Sequence, residues 1–304
     1  MKPFEQGRFG DLPERPRVSH PFFSIPAQRV VVPSPHFGPV GLSVRRVGQG
    51  PPLVCVHGLM TSSYSFRYLI ERLQDRFELV LFDLPGAGRS DAPDVPYGPR
   101  ELADLIGDLM RALGLEGARV LGNSMGGYLG MWLALRRPHA MSRLVNLHSP
   151  GLVTARMTAL GAALAVPGSR ALLDRVVARD PERWAHRNVH YYDETLKSRE
   201  EAREYAAPLA RPEGRRAFAR YLADTLSAPA MRDFERSLRA LGGRFPVPLR
   251  MIYARRDPMV PPAVGARLGA IVSSAELTWL DEGSHFAHVD APDAFLAQAL
   301  PFLA

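Results

Sequence analysis

The stretch that decides the fold is Gly122-Asn123-Ser124-Met125-Gly126-Gly127, which follows the apolar run 118–121 and opens a predicted helix, 125–135. Glycines on both sides of a serine, two residues away, let the chain turn so sharply that the hydroxyl projects above a sheet. A glycine-rich packing turn or a phosphate-binding loop is the weaker interpretation, because the stretch lacks the lysine of a P-loop and the spacing of a dinucleotide fingerprint. We therefore predict that Ser124 is a nucleophile at a strand–turn–helix junction.

A serine hydroxyl is a poor nucleophile alone, so this prediction requires a base and an orienting acid elsewhere in the chain. Asp257 follows the predicted strand 248–253, and His285 follows the predicted strand 276–280. The order Ser124, Asp257, His285 is one of the known orders of a serine triad, and open α/β sheets place their sites at the carboxyl ends of strands. Asp257 alone would be read as a turn or capping residue, but the three together predict a triad.

The oxyanion of a tetrahedral intermediate needs hydrogen-bond donors close to the nucleophile. His57-Gly58-Leu59-Met60 follows the predicted strand 52–56, and Gly58 allows the backbone amides to turn towards Ser124. We predict that the N–H groups of Leu59 and Met125 form the oxyanion hole. His57 stands where the strand meets the loop, which favours a structural role over that of a base.

The organisation of the chain follows from apolar strands that alternate with amphipathic helices, a pattern that predicts a mostly parallel sheet covered on both faces. Residues 1–28 contain five prolines and no periodicity, so we predict an irregular arm. The core is predicted to comprise 29–150, which begins with an antiparallel hairpin, and 246–304. Residues 151–245 show no strand pattern and predict a helical cap, or lid, inserted between the two halves of the core.

Composition limits the classes of function. Of the 38 basic residues only two are lysine, and 17 basic against 12 acidic residues give the cap +5 of the formal +7. Since no nucleic-acid motif is present, this charge predicts an entrance that prefers anionic or polar acids, with no nucleic-acid partner. The single cysteine, Cys55, lies in an apolar run and excludes an intramolecular disulfide.

Other partners and groups are also predicted to be absent. No stretch is long and apolar enough for a membrane span and no signal peptide is visible, so we predict a cytoplasmic protein with a small-molecule substrate and no membrane partner. We predict no metal and no cofactor, because no histidine and carboxylate set has zinc spacing. The sequence leaves the oligomeric state open.

These motifs resemble those of the α/β-hydrolase fold, in the cap-bearing superfamily of esterases, cofactor-free haloperoxidases and C–C bond hydrolases. The resemblance rests on 57–58, the loop 82–91, 122–127, 256–258 and 284–285, and covers roughly 29–150 and 246–304. Haloalkane dehalogenases and epoxide hydrolases of this group use an aspartate nucleophile, whereas position 124 is serine. The loop 82–91 is implied to be mainly structural.

The favoured function is hydrolysis of a small or medium carboxylic ester by Ser124, His285 and Asp257 through an acyl-enzyme. Alternatives are a C–C bond hydrolase of a vinylogous diketone, an acyltransferase or perhydrolase, and a non-catalytic ligand-binding protein of the same fold. C–C hydrolases resemble this chain in Gly-Asn-Ser-Met-Gly-Gly, but they have a glycine-rich oxyanion segment and Trp where Phe286 stands here. Aromatic residues predicted either to line the substrate pocket or to pack between elements are Trp184, Tyr191, Tyr192 and Phe286.

Overall fold

The computed structural model describes residues 3–304 and contains one eight-stranded sheet. The strands are β1 (Gln28–Ser34), β2 (Gly38–Val47), β3 (Pro52–Val56), β4 (Glu78–Phe82), β5 (Ala118–Asn123), β6 (Met141–Leu147), β7 (Leu249–Ala254) and β8 (Glu276–Leu280). Their order is β1-β2-β4-β3-β5-β6-β7-β8, and only the pairs that involve β2 are antiparallel. The predicted α/β class, with a mostly parallel sheet, is confirmed.

Helices cover both faces of the sheet, because successive side chains of each buried strand point to opposite sides. On β3, Val54 and Val56 pack into one apolar cluster, whereas Leu53 and Cys55 pack into the other. The core helices are α1 (Ile70–Leu73), α2 (Pro99–Ala112), α3 (Met125–Arg136), α10 (Pro262–Ile271), α11 (Ala287–Asp290) and α12 (Pro292–Leu303). Apolar residues of α2 and α3 belong to the first cluster and those of α1 and α12 to the second.

The chain between β6 and β7 is helical, and we refer to residues 151–245 as the cap segment. Its helices are α4 (Ala155–Ala165), α5 (Ser169–Arg179), α6 (Pro181–Asn188), α7 (Arg199–Ala206), α8 (Pro212–Arg220) and α9 (Ala228–Arg239). Side-chain oxygens of Thr154, Asp180, Ser198 and Ser227 accept hydrogen bonds at the N-termini of α4, α6, α7 and α9. Such caps fix the residue at which a helix begins, so side chains within the cap segment itself define where these four helices start.

The N-terminal arm, residues 3–27, is irregular apart from two short 3-10 turns. It lies against α7, where the N–H groups of Arg199 and Glu200 donate to the carbonyls of Pro13 and Glu14. The His20 ring is 2.9 Å from the Glu200 carboxylate. The arm therefore contacts the cap segment through both backbone and side chain.

The helical stretch after β3 changes its winding along its length. Residues 64–74 have apolar positions at helical spacing, but Ser63–Leu69 is a 3-10 helix and only Ile70–Leu73 is α-helical. The apolar positions of this stretch satisfy a spacing of three or four residues, so they do not discriminate between the two windings. Within residues 3–304, no helix combines the length and the apolar character that crossing a membrane requires.

Candidate active site

Ser124 occupies a sharp turn between β5 and α3. Its backbone has φ 55° and ψ −121°, a strained conformation for a residue with a side chain. Glycine is required on either side: a Cβ on Gly122 would lie 2.5 Å from the carbonyl oxygen of Gly126, and a Cβ on Gly126 would lie 2.0 Å from that of Val56. The close packing of these backbones holds the turn and presents Ser124 at the carboxyl end of β5.

Asp257 and His285 come together from the loops after β7 and β8, which are neighbouring strands. The Asp257 Oδ2 and His285 Nδ1 atoms are 2.7 Å apart, and both residues are buried. Asp257 Oδ1 accepts from the N–H groups of Met259 and Val260 at 2.6 and 3.0 Å. Burial alone would raise the pKa of Asp257, but the His285 ring, together with His148 and the Val260 N–H, outweighs it and holds the pKa below its ordinary value. The carboxylate is therefore ionised and fixes the proton of His285 on Nδ1, which leaves Nε2 as a base.

Ser124 and His285 line the same cavity, which has a volume of about 460 Å³. The core contributes Gly58, Leu59 and Phe286 to its wall, and the cap segment contributes further, mainly apolar residues. These cap residues are Thr154, Arg156, Met157, Leu160, Leu164, Leu173, Trp184, Asn188, Val189, Phe218, Leu222 and Leu226. Within residues 3–304, the His285 ring is hydrogen-bonded to Asp257 and not to Ser124. Contacts of that kind often tighten only when substrate binds.

The loop after β3 is held beside Ser124 by His57. The His57 Nε2 accepts from the Leu84 N–H at 2.9 Å, and its Nδ1–H donates to the Gly58 carbonyl at 2.8 Å. Burial lowers the pKa of His57, which keeps the ring neutral and able to make both bonds. Leu59 lies in this loop, and Met125 is the first residue of α3, whose N–H has no intrahelical acceptor. Met125 directly follows Ser124, and the loop that carries Leu59 approaches Ser124 so closely that a Cβ on Gly58 would lie 3.1 Å from the Ser124 Cβ.

Comparisons with known proteins identify the family of this chain. The alpha/beta hydrolase fold family model matches residues 51–292, most of the chain. The chain belongs to the alpha/beta hydrolase fold family. It is 26% identical to the uncharacterized hydrolase YugF of Bacillus subtilis, over 83% of this chain and 89% of that protein. It is 28% identical to a pimeloyl-[acyl-carrier protein] methyl ester esterase of Aeromonas hydrophila, over 84% of this chain and 97% of that protein.

The fold also matches solved structures of other hydrolases. A thermophilic esterase from Thermogutta terrifontis superimposes with a TM-score of 0.71, over 91% of this chain and 98% of that chain, at 18% identity. At that identity the match shows the fold alone.

Two of the four aromatic residues named from the sequence do not line the cavity of this hydrolase-family protein. Trp184 and Phe286 do line it. Tyr191 is fully buried, and its hydroxyl is 2.6 Å from the Glu201 carboxylate. The Tyr192 N–H donates to Asp290 at 2.6 Å, and its hydroxyl is 3.2 Å from an Arg256 nitrogen. Of the two alternatives stated for Tyr191 and Tyr192, these contacts favour packing against other residues over lining the cavity.

His148 is a site residue that the sequence reasoning missed. It directly follows β6, and one atom each of His148, Asp257 and His285 lie within 4.8 Å of one another. Its Nε2 accepts from the Ala254 N–H at 2.6 Å, so the ring proton must be on Nδ1. The rule that selected Asp257 and His285, polar residues immediately after a parallel strand, would also have selected His148. Asn123 was missed as well, and its amide donates to the His285 carbonyl at 2.9 Å.

His148 is held neutral, with its ring centroid 5.5 Å from that of His285. Burial lowers the pKa of His148 from 6.5 to about 4, a value to which Asp257 and His285 contribute in opposite directions. A neutral ring does not compete with His285 for the Asp257 carboxylate. Asp257 Oδ2 and His285 Nδ1 are bonded to each other and His148 Nε2 accepts from Ala254, whereas the buried His148 Nδ1 has no hydrogen-bond partner within residues 3–304.

Acid should destabilise this protein through His148. The unfolded chain binds a proton at this histidine below its ordinary pKa of 6.5, whereas the folded chain does so only near pH 4. Stability is therefore lost as the pH falls from 6.5 towards 4, by about 3 kcal/mol from this residue. We expect His148→Gln, whose amide oxygen can still accept from Ala254, to lose correspondingly less stability between pH 7 and pH 4 in urea unfolding. The same change at the exposed His139 is the control, and equal pH dependence in both variants would contradict the prediction.

Proposed function

We propose that this protein is a serine hydrolase that cleaves a small or medium carboxylic ester. The observation that carries the proposal is the 2.7 Å bond between Asp257 and His285, with His285 and the strained Ser124 facing one apolar cavity. A buried, ionised acid that fixes a histidine tautomer near a serine hydroxyl is the arrangement that activates a serine. The name of the Aeromonas hydrophila relative, a methyl ester esterase, supports the same class of reaction.

In the proposed mechanism, His285 Nε2 removes the Ser124 proton while Oγ attacks the ester carbonyl. The electron pair of the carbonyl moves onto its oxygen, which the N–H groups of Leu59 and Met125 stabilise. Collapse of this intermediate breaks the ester C–O bond, and His285 gives its proton to the leaving alcohol. Water then attacks the acyl-enzyme with His285 again as base, and the acid and free Ser124 result. Side chains, two backbone N–H groups and water suffice for every step.

The cap segment contributes the part of the cavity that would contact the substrate. Its lining is mainly aliphatic and aromatic, with Trp184 from α6 and Phe218 from α8. Apolar walls with few polar groups bind apolar acyl or alcohol chains and exclude water from the reacting carbonyl. We infer that the cap segment sets the chain length that the enzyme accepts.

A fluorophosphonate probe tests the nucleophile directly. We expect the probe to form one covalent adduct, at Ser124, because only a serine paired with a base reacts with it readily. Peptide mass spectrometry locates the adduct, and prior incubation with an ester substrate should slow its formation. Unfolding the protein before labelling is the control, since a serine activated by tertiary geometry then loses its reactivity. An adduct at another serine would overturn the assignment of Ser124 as nucleophile, and the absence of any adduct would favour a non-catalytic ligand-binding protein.

The substrate class is tested by measuring the turnover of a panel of substrates alongside the labelling with the probe. It comprises p-nitrophenyl esters of increasing chain length, a lactone and a coloured ring-cleavage product that carries a vinylogous diketone. We expect turnover of the esters. Turnover confined to the ring-cleavage product would replace ester hydrolysis with C–C cleavage at the same triad. Transfer of the acyl group to added alcohol or peroxide in preference to water would indicate an acyltransferase or perhydrolase.

A further inference from the structure

A second cavity, of about 310 Å³, lies in the cap segment between α5 and α8. We call it the arginine pocket. Its lining residues are Arg170, Ala171, Leu173, Asp174, Val177, Arg215, Arg216, Phe218, Ala219 and Arg220. Four arginines and one aspartate therefore line a volume large enough for part of a small organic molecule.

The ion pairs around the pocket leave positive charge in excess. Arg215 is bound to Asp174 at 2.6 Å, while Arg216 and Arg220 share Asp94, which lies outside the lining, at 3.2 and 2.8 Å. Arg220 also lies 4.0 Å from Asp224. Arg170 takes part in no ion pair within residues 3–304. The charge of the pocket is thus incompletely balanced, and an anion could replace water at the guanidinium groups.

The four arginines of the pocket differ in how free their guanidinium groups are to bind a ligand. Arg215 also donates to the carbonyls of Leu209 and Ala210, so it is committed to the structure of the loop before α8. Arg220 Nε is buried and has no hydrogen-bond partner within the described residues. Arg170 and Arg216 are exposed, and Arg216 lies 3.2 Å from Asp94, whereas Arg170 has no such partner within the described residues.

The arginine pocket shares two apolar lining residues with the cavity of the candidate active site. Leu173 and Phe218 line both this pocket and the cavity that contains Ser124. Val177 extends the apolar surface inside the pocket. A ligand that fits both the arginines and the shared apolar residues has a carboxylate at one end, beside the guanidinium groups. Its aliphatic chain lies against Leu173 and Phe218.

We propose that the arginine pocket binds the free carboxylate of a substrate whose ester lies at the other end of an aliphatic chain. This inference rests on the proposed ester hydrolysis and deepens it: the preferred substrate class is the monoester of an aliphatic dicarboxylic acid. The ester occupies the cavity at Ser124, and the chain follows Leu173 and Phe218 towards Arg170 and Arg216.

Paired substrates and paired variants test this. The substrates are p-nitrophenyl octanoate and the mono-p-nitrophenyl ester of octanedioic acid, which differ in the terminal carboxylate. We expect the double variant Arg170→Gln/Arg216→Gln to lower kcat/KM for the acidic ester by about tenfold, mainly through KM, because charge-assisted bonds are lost. Its activity on the neutral ester should be unchanged.

The control is Arg175→Gln/Arg179→Gln, which removes the same charge from exposed positions of α5 that do not line the pocket. Equal losses in both double variants would show a general field effect and overturn the proposal, as would unchanged kinetics in Arg170→Gln/Arg216→Gln.

Binding measured without turnover separates this proposal from the proposed function. We expect calorimetry with octanoate to give a Kd about tenfold weaker in Arg170→Gln/Arg216→Gln than in the control variant. An unchanged Kd overturns the proposal that the arginine pocket binds the carboxylate, even if the esters are hydrolysed. A weakened Kd with no ester hydrolysis supports the pocket and refutes the proposed reaction.

Discussion

Replacement of Ser124 by alanine should lower kcat for ester hydrolysis by about 10⁴-fold or more while KM changes little, because the nucleophile is lost and the cavity remains. The Asp257–His285 pair, 2.7 Å apart, makes no hydrogen bond to Ser124, so it should stay in place in Ser124→Ala. Initial rates with a p-nitrophenyl ester, together with unfolding curves that show equal stability, measure the effect.

The control for this result is Ser65→Ala. Ser65 is fully buried in the 3-10 segment after β3, and its hydroxyl has no hydrogen-bond partner within residues 3–304. Loss of this hydroxyl should leave kcat unchanged, so a loss confined to Ser124→Ala is a loss of chemistry. Wild-type turnover in Ser124→Ala would rule out the nucleophile and with it the acyl-enzyme.

The largest effect on stability is expected at the ion pair that joins the core to the cap segment. Arg67, in the 3-10 segment of the core, is fully buried and lies 2.5 Å from the Glu201 carboxylate of α7. The Arg67 guanidinium also stacks on the Tyr64 and Tyr68 rings, 4.4 Å from each centroid. The Glu201 carboxylate accepts from the Tyr191 hydroxyl as well. Neither charge has access to water, so each depends on the other.

We expect Glu201→Ala to lower the free energy of unfolding by about 3–5 kcal/mol, because it leaves the charge of Arg67 buried and uncompensated. Urea unfolding followed by circular dichroism measures the change. The control is Glu213→Ala, which removes an exposed cap carboxylate 3.7 Å from Arg211 and should cost about 1 kcal/mol or less.

A double variant separates the charge from the packing at this contact. Arg67→Met/Glu201→Leu removes both charges and fills a similar volume, so it should recover most of the stability lost in Glu201→Ala. Equal destabilisation in Glu201→Ala and Glu213→Ala would contradict a dependence of the cap contact on this pair.

Local sequence predicted most of the sheet because its strands are short apolar runs bounded by glycine, proline and polar residues. The run 52–56 and the run 276–280 match β3 and β8 in both bounds. Ser124, Asp257 and His285 each stand directly after such a run, so the parallel arrangement brought them to one edge of the sheet. The convergence of Asp257 and His285 was therefore predictable without knowledge of any long-range contact.

The sequence by itself determined the fold class and the chain order of the three candidate triad residues, because both depend on the local periodicity of apolar residues and on glycine at the turn of Ser124. Only the tertiary structure decided which side chains from distant segments meet. Arg67 pairs with Glu201, 134 residues away, and this same carboxylate holds Tyr191 outside the cavity. Arg170 joins Arg215 and Arg216 only because α5 packs beside α8. The local periodicity of apolar residues does not predict such pairings, because burial and the choice of partner depend on how whole helices pack.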